Sequence, residues 1–163
     1  MVSNLILKQL FAHYNHAHFA GEIPDIPVIW NTRTKRRAGS CHYTKSSIRL
    51  TPTRIELSAK VFAHNDFDMK KVQRTLIHEM VHAYLIHKHN EKGHTRNFQI
   101  LMTMITGEQR NHRLHDYDLP DGNVAVICEN CGELYRRYRM PKRRLANAYS
   151  CKTCGGDVRF ERV

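Results

Sequence analysis

The chain has 163 residues, 41% of them hydrophobic, which suits one domain of ordinary size with a small appendage and excludes wholesale disorder. A formal net charge of +11 and a pI of about 9.7 point to a polyanionic partner, nucleic acid ahead of a membrane surface. No apolar run approaches the roughly 18 residues that would span a bilayer, and residues 1–19, broken by Lys8, His13, Asn15 and His16, lack a signal-peptide cleavage site.

A cytoplasmic or otherwise intracellular setting is therefore expected, with no membrane association. In a reducing compartment the five cysteines read better as metal ligands or free thiols than as disulfides.

Leu5, Ile6, Leu7, Leu10, Phe11 and Tyr14 recur at helical spacing and predict an amphipathic helix from about Ser3 to Phe19, ended by Gly21 and Pro24. Ile26–Trp30 reads as a short strand. A basic loop carrying Arg33, Lys35, Arg36 and Arg37 leads into a strand around Gly39–Tyr43. Ile48 and Leu50, then Ile55 and Leu57, alternate with polar residues on either side of Thr51-Pro52, as strand segments with a turn or edge irregularity at the proline. Asp66 or Asp68 can cap the long helix that follows, and Gly93 lets the chain leave it. Phe98, Ile100, Leu101, Met104 and Ile105 predict a further helix from Thr95 to about Ile105, closed by Gly107. The polar stretch Glu108–Asn123 reads as a linker.

The long helix holds His78, Glu79 and His82 in the order H-E-x-x-H. Histidines at i and i+4 lie one turn apart on one face and can bind a single ion, with Glu79 beside that face within reach of a water. This suits catalytic zinc: three protein ligands leave a fourth position for water, whose proton a carboxylate takes. Histidines at this spacing also occur on ordinary helix surfaces, and the chain has 12 histidines. Here, however, Val72, Leu76, Ile77, Met80, Val81, Ala83, Tyr84 and Leu85 make the helix apolar around most of its circumference, so it should be buried. A buried helix does not carry His, Glu and His without compensation for their desolvation.

The pattern with a third histidine six residues after the second, and glycine midway, is excluded by Leu85 and Lys88. His87 and His89 share the His78/His82 face poorly. His94, beyond the glycine break, is the favoured third ligand, and Glu91 is the alternative.

With AGSC upstream, the run RIELSAKVF…TLIHEMVHAYL…GHTRNF resembles the SprT-like metalloprotease family, which includes the Spartan-type proteases. The resemblance rests on Ala38, Gly39, Cys41, Arg54, Ile55, Leu57, Ser58, His78, Glu79, Met80, His82, Ala83, Gly93, His94 and Phe98. Thr95 stands where the family usually has glycine. The resemblance implies proteolysis of proteins bound or crosslinked to DNA, with DNA as activator.

Cys128-x-x-Cys131 and Cys151-x-x-Cys154, each followed by glycine and separated by 19 residues, fit a closed tetrahedral zinc site in a ribbon of hairpins. Reactive thiol pairs or a disulfide are the alternative. About 40 residues do not hold together on their core alone, so this metal would supply folding energy. Cys41 is left over and reads as a strand thiol.

Between the knuckles, Arg136, Arg137, Arg139, Lys142, Arg143 and Arg144 interleave with Tyr135, Tyr138 and Tyr149. Guanidinium groups neutralise phosphates and exposed tyrosines stack on unpaired bases. Arg136, Arg137, Tyr138, Arg139, Lys142, Arg143 and Arg144 are therefore candidate DNA contacts, and Arg33, Lys35, Arg36 and Arg37 form a second candidate patch. On a two-stranded ribbon Arg137 and Arg139 would share one face, with Tyr138 on the other.

The combined expectation is an α+β chain. Residues 1–107 form a zincin-like metallopeptidase domain with a small mixed sheet and the H-E-x-x-H helix, 108–123 a linker, and 124–163 a four-cysteine zinc ribbon. His78, His82 and His94 would hold catalytic zinc, Cys128, Cys131, Cys151 and Cys154 structural zinc, and Glu79 would act as general base. Tyr43, His87 and the basic loop are open candidates for oxyanion stabilisation. The expected partners are DNA, single-stranded or with single-stranded features, and protein substrates upon it, the enzyme itself being monomeric and nuclear if eukaryotic. The alternatives are a nucleic-acid-binding zinc scaffold without proteolysis and a DNA-independent zinc peptidase.

Overall fold

The computed structural model describes residues 3–107, 120–141 and 148–163. The chain divides into two compact units, Met1–Leu119 and Pro120–Val163. Both combine to give a mixed α/β protein with two small sheets. Among the described residues no helix is long and apolar enough to cross a membrane.

The first unit begins with α1 (Asn4–Phe19), whose N-cap Ser3 accepts a hydrogen bond from the Ile6 N–H. Leu7, Phe11 and Phe19 bury one face of it. The exit turn is closed by Asn15, whose amide donates to the Ile23 carbonyl and accepts from the Ile23 N–H at 2.9 and 3.1 Å.

β1 (Val28–Asn31) and β2 (Gly39–Lys45) flank β3 (Leu50–Ser58) in the order β1-β3-β2, with β1 parallel and β2 antiparallel to β3. The proline irregularity is a bulge. Arg54 pairs with His42 and Pro52 with Tyr43, leaving Thr53 as the extra residue in an otherwise continuous β3. Ile48, expected to begin this strand, lies outside it and is exposed.

β2 is therefore an edge strand. The Ser58 N–H donates to the Ala38 carbonyl at 2.8 Å. By the alternation of an antiparallel ladder, Ser40 and His42 then bond to β3, while the backbone groups of Gly39 and Cys41 point away from it.

After the short helix α2 (Ala59–His64), Asp68 caps α3 (Met69–His89) by accepting from the Lys70 N–H, while Asp66 sits in the turn before it at φ 53°. α3 packs across β3 and β2 on one face of the sheet and also meets α1 and α4. Val72, Leu76, Met80, Val81, Ala83 and Leu85 are buried there, with Phe62, Ile55 and Leu57 in the same core. Each of these side chains larger than Ala83 contributes about 1.5–3 kcal/mol by leaving water.

The helix stops at Asn90 in the left-handed region, before Gly93 is reached, and the Asn90 side chain accepts from the Leu50 N–H at 2.6 Å. α4 (Arg96–Thr106) then starts on Thr95, whose hydroxyl accepts from the Phe98 N–H, and ends at Gly107 with φ 71°.

The opposite face of the sheet is polar. Glu56, only 8% exposed, accepts from Asn31 at 2.6 Å and from Arg54 Nε at 2.6 Å, and lies 3.2 Å from His42 Nε2. Burial raises the Glu56 carboxyl, but the Asn31 and Arg54 hydrogen bonds and the His42 and Arg54 charges outweigh it, lowering it to about 2.

In the second unit β4 (Val124–Cys128) is the central strand of an antiparallel sheet ordered β5-β4-β6, with β5 (Leu134–Arg137) and β6 (Val158–Arg162). This is a three-stranded sheet, where a two-stranded ribbon was expected. β5 ends at Arg137, so the expected alternation to Arg139 does not continue. Most of the expected linker, residues 108–119, lies outside the described residues.

Two stability effects follow. Glu56 has a folded pKa below its ordinary value of 4.5, so its contribution is complete above that pH and is lost as pH falls through about 2. The wild-type melting temperature should fall more steeply than that of Glu56→Gln across this interval; parallel pH profiles would contradict the assignment. At the α4 cap, Thr95→Ala should cost about 1 kcal/mol and Thr95→Gly only a few tenths, as read by urea unfolding.

Candidate active site and metal centres

Helical spacing sets His78 and His82 one turn apart on α3, with ring centroids 5.0 Å apart. The two left-handed residues Asn90 and Gly93 fold the chain back so that His94 meets them. His94 Nε2 lies 3.0 Å from His78 Nε2, and one ring nitrogen from each of the three falls within 4.8 Å of the others. Phe98, fully buried on the first turn of α4, floors all three rings at 4.4–4.8 Å and stacks on His82 at 27°. The α4 cap therefore also places the side chain on which the imidazoles rest.

Burial, and secondarily the His94 charge, lowers His82 to about 4, and burial lowers His94. Both rings are thus neutral at pH 7 and keep a lone pair for a metal. Tetrahedral zinc with bonds of about 2.0–2.1 Å places its ligand nitrogens roughly 3.3 Å apart, so the trio fits that ion. Glu91, the alternative ligand, is not part of the cluster. It accepts from the Asn97 amide at 2.8 Å and from Thr95 instead.

Glu79 is 4% exposed. Burial raises its carboxyl to about 8, while the Cys41 backbone N–H and the Arg37 charge act in the opposite direction. The Cys41 N–H is available because β2 is an edge strand. Gly39 allows the close approach: a Cβ there would stand 2.8 Å from Glu79 Oε1 and 2.7 Å from Thr75 Cγ2. The A-G-x-C segment is the wall against which the carboxylate is held. Cys41 itself joins neither ligand cluster, and burial with the Glu79 charge pushes its thiol to about 12.

Among the oxyanion candidates, Tyr43 is 38% exposed with Lys92 Nζ 6.0 Å from its ring centroid. His87 sits in the last turn of α3, its carbonyl accepting from Arg49 at 2.8 Å.

The second cluster joins Cys128, Cys131, Cys151 and Cys154. The Cys128–Cys154 and Cys131–Cys151 sulfurs are 3.5 and 3.7 Å apart. A disulfide needs about 2.05 Å, whereas thiolates at about 2.3 Å from tetrahedral zinc are roughly 3.8 Å apart. The donor set fits zinc. Backbone N–H groups of Cys131 and Thr153 donate to Cys128 and Cys151 at 3.4 Å; the Cys131 N–H above all holds Cys128 low, and the Cys154 N–H, then that of Thr153, hold Cys151 at about 6. The glycines after the knuckles, Gly132 and Gly155, both adopt φ 72°.

The expected DNA contacts of this unit separate. Arg136 and Arg139 are exposed, whereas the Tyr138 hydroxyl donates to the Pro120 carbonyl at 2.6 Å. Arg137 lies over Tyr149 and Phe160, 4.7 and 5.6 Å from the ring centroids. Lys142, Arg143 and Arg144 lie outside the described residues. Lys152 lies near the Tyr135 ring at 5.8 Å, and Phe160, placed by the alternation of VRFER on β6, shares Arg137 with Tyr149.

The SprT-like family matches residues 7–118. The DNA-dependent metalloprotease SPRTN of Bos taurus is 30% identical over 172 aligned positions, covering 92% of this chain and 34% of the bovine protein. The Rattus norvegicus protein of that name is 33% identical over 172, covering 92% and 33%. Germ cell nuclear acidic protein of Drosophila melanogaster is 32% identical over 162, covering 94% and 14%. The chain thus spans about a third or less of the length of these relatives. With its family match extending from α1 past α4, the chain belongs to the SprT-like family.

Proposed function

We propose that the chain is a zinc-dependent endopeptidase of zincin-like architecture, activated by DNA and cleaving proteins bound or crosslinked to it, a DNA–protein crosslink repair activity inside the cell. The observation that carries this reading is the convergence of His78, His82 and His94 beside a buried Glu79. A purely structural site has no use for that carboxylate. The DNA half rests on the net charge of +11 and on relatives named as DNA-dependent metalloproteases.

His78, His82 and His94 would hold the catalytic ion, which when bound supplies Lewis acidity and lowers the pKa of water to about 7. Glu79 accepts the proton of the attacking water and delivers it to the departing amide nitrogen. The outward backbone groups of β2 other than the Cys41 N–H, which Glu79 takes, can pair with an extended substrate peptide, which orients the scissile bond with little dependence on side chains. Cys128, Cys131, Cys151 and Cys154 hold the structural ion, and Arg136, Arg137 and Arg139 meet DNA phosphates.

The first test is cleavage of a basic DNA-binding protein by zinc-loaded enzyme, with and without single-stranded DNA. Glu79→Gln should retain zinc and lose about 10²–10⁴-fold in rate, and the wild type should require DNA. DNA-independent cleavage lost in the variant would leave a peptidase without its activator. Absence of cleavage with DNA bound and zinc present would leave a nucleic-acid-binding scaffold. Gly39→Ala should also keep zinc while kcat falls on the order of 10²-fold, because the added methyl displaces the Glu79 carboxylate; an unchanged kcat would show that the β2 wall does not position it.

A further inference from the structure

Residues 28–58 contain seven lysines and arginines against one acid, Glu56. The polar network places that acid where it organises the cations. Asn31 bonds to Glu56 through its amide nitrogen, while its Oδ1 accepts from the Arg33 and Thr34 N–H groups at 2.8 and 3.0 Å. Ser58 Oγ donates to the Thr34 carbonyl at 2.6 Å, fixing the same turn from β3. The basic loop is thereby tied to the polar face of the sheet at its first residues. Arg33, Arg36 and Arg37 are exposed beyond these anchors. Arg54 gives its Nε to Glu56 yet keeps a side chain 45% exposed on the same face. His42, 30% exposed, completes the margin beside Ser40 at 3.2 Å.

A charge run on a mobile loop would be only a solvated face. Here the anchoring lowers the conformational entropy lost when phosphates bind, so the loop is pre-organised. The occupant must be an extended polyanion, because the cations are distributed along a loop and across two strands without converging on one point.

We infer that the loop Arg33–Arg37, with Arg54 on the adjoining sheet face, is a docking surface on the first unit for the sugar-phosphate backbone of nucleic acid. It deepens the proposed function and rests on its DNA-binding half. Backbone contacts of this kind position without reading sequence. The loop runs directly into Gly39 and Cys41, the wall of Glu79, so the docking surface is continuous in the chain with the strand that backs the candidate site.

The test is equilibrium binding of full-length, zinc-loaded protein to fluorescent oligothymidylate over a range of salt concentrations. Each single-strand phosphate neutralised contributes about 0.7 to the slope of log K against log salt. The triple variant Arg33→Gln/Arg36→Gln/Arg54→Gln should therefore reduce the slope by about 2. Arg33→Gln/Arg36→Gln leaves the Arg54–Glu56 pair intact, and should reduce it by about 1.4 even if the triple variant folds poorly. Lys8→Gln/Lys70→Gln removes the same charge from α1 and α3 and should leave the slope unchanged.

Equal slopes for wild type and the Arg33/Arg36 variant would overturn the inference. So would an equal loss in the Lys8/Lys70 variant, which would mean diffuse attraction, or competition by polyglutamate as effective as oligothymidylate, which would make the occupant an acidic protein. The readout is independent of proteolysis. A reduced slope in a protein that cleaves nothing keeps this surface and rejects the activity, whereas DNA-dependent cleavage with an unchanged slope keeps the activity and rejects this surface.

Discussion

Glu79 is a carboxylate taken almost wholly out of water on a helix whose other buried positions are mostly apolar, and the architecture around it follows from holding it there. An isolated buried carboxylate is costly enough to give up its charge rather than remain ionised. Two local groups offset part of this cost, the Cys41 N–H that donates to it and the Arg37 charge, though burial still outweighs them and leaves the carboxyl raised to about 8. That N–H is free only because β2 has a neighbour on one side. In a central strand the ladder would consume it. Gly39 then removes the one Cβ that would keep the strand from the carboxylate.

The third histidine poses a different problem. A straight continuation of α3 would carry residue 94 away from His78 and His82, so the helix has to end soon after His82. Asn90 ends it in the left-handed conformation, Gly93 turns the chain again, and Thr95 restarts a helix at once. The restart puts Phe98 under the rings. Thr95 therefore caps the helix that supports the imidazoles, a role that a glycine at this position fills less well because it has no side-chain acceptor.

Much of this was legible in the sequence. The i, i+4 histidines, the amphipathic α1 and α3 and the paired C-x-x-C knuckles are local patterns with fixed periods, and local periods survive into structure. What the sequence concealed was non-local. Nothing in SSIRLTPT says that Asn90 will receive the Leu50 N–H or that Ile48 will be left in solvent. Glu91 and His94 are equally plausible ligands by residue type, and the fold separates them by giving Glu91 to Asn97 and Thr95. Nothing near Tyr138 in the sequence says that its hydroxyl will donate to the Pro120 carbonyl. The three-stranded order of the second unit depends on β6, which follows the second knuckle and has no marked local signal beyond alternation.

The two clusters divide the chemistry. Four cysteine sulfurs around one zinc ion would complete a tetrahedron by themselves and leave no position for a reactant, so on the proposed reading that site holds structure together. Three imidazoles around one ion would leave one position open, and desolvation lowers His82 to about 4 and also lowers His94, which favours the neutral form that binds metal. The buried Glu79 is meaningful only beside the second kind of site. A carboxylate that the fold desolvates, backs with a glycine and tethers by a single edge-strand N–H is held in place without being saturated by partners, and it keeps acceptor capacity for a proton. On the proposed reading that unfilled capacity, more than the number of histidines, suits this centre to hydrolysis and the four-cysteine one to holding the chain together.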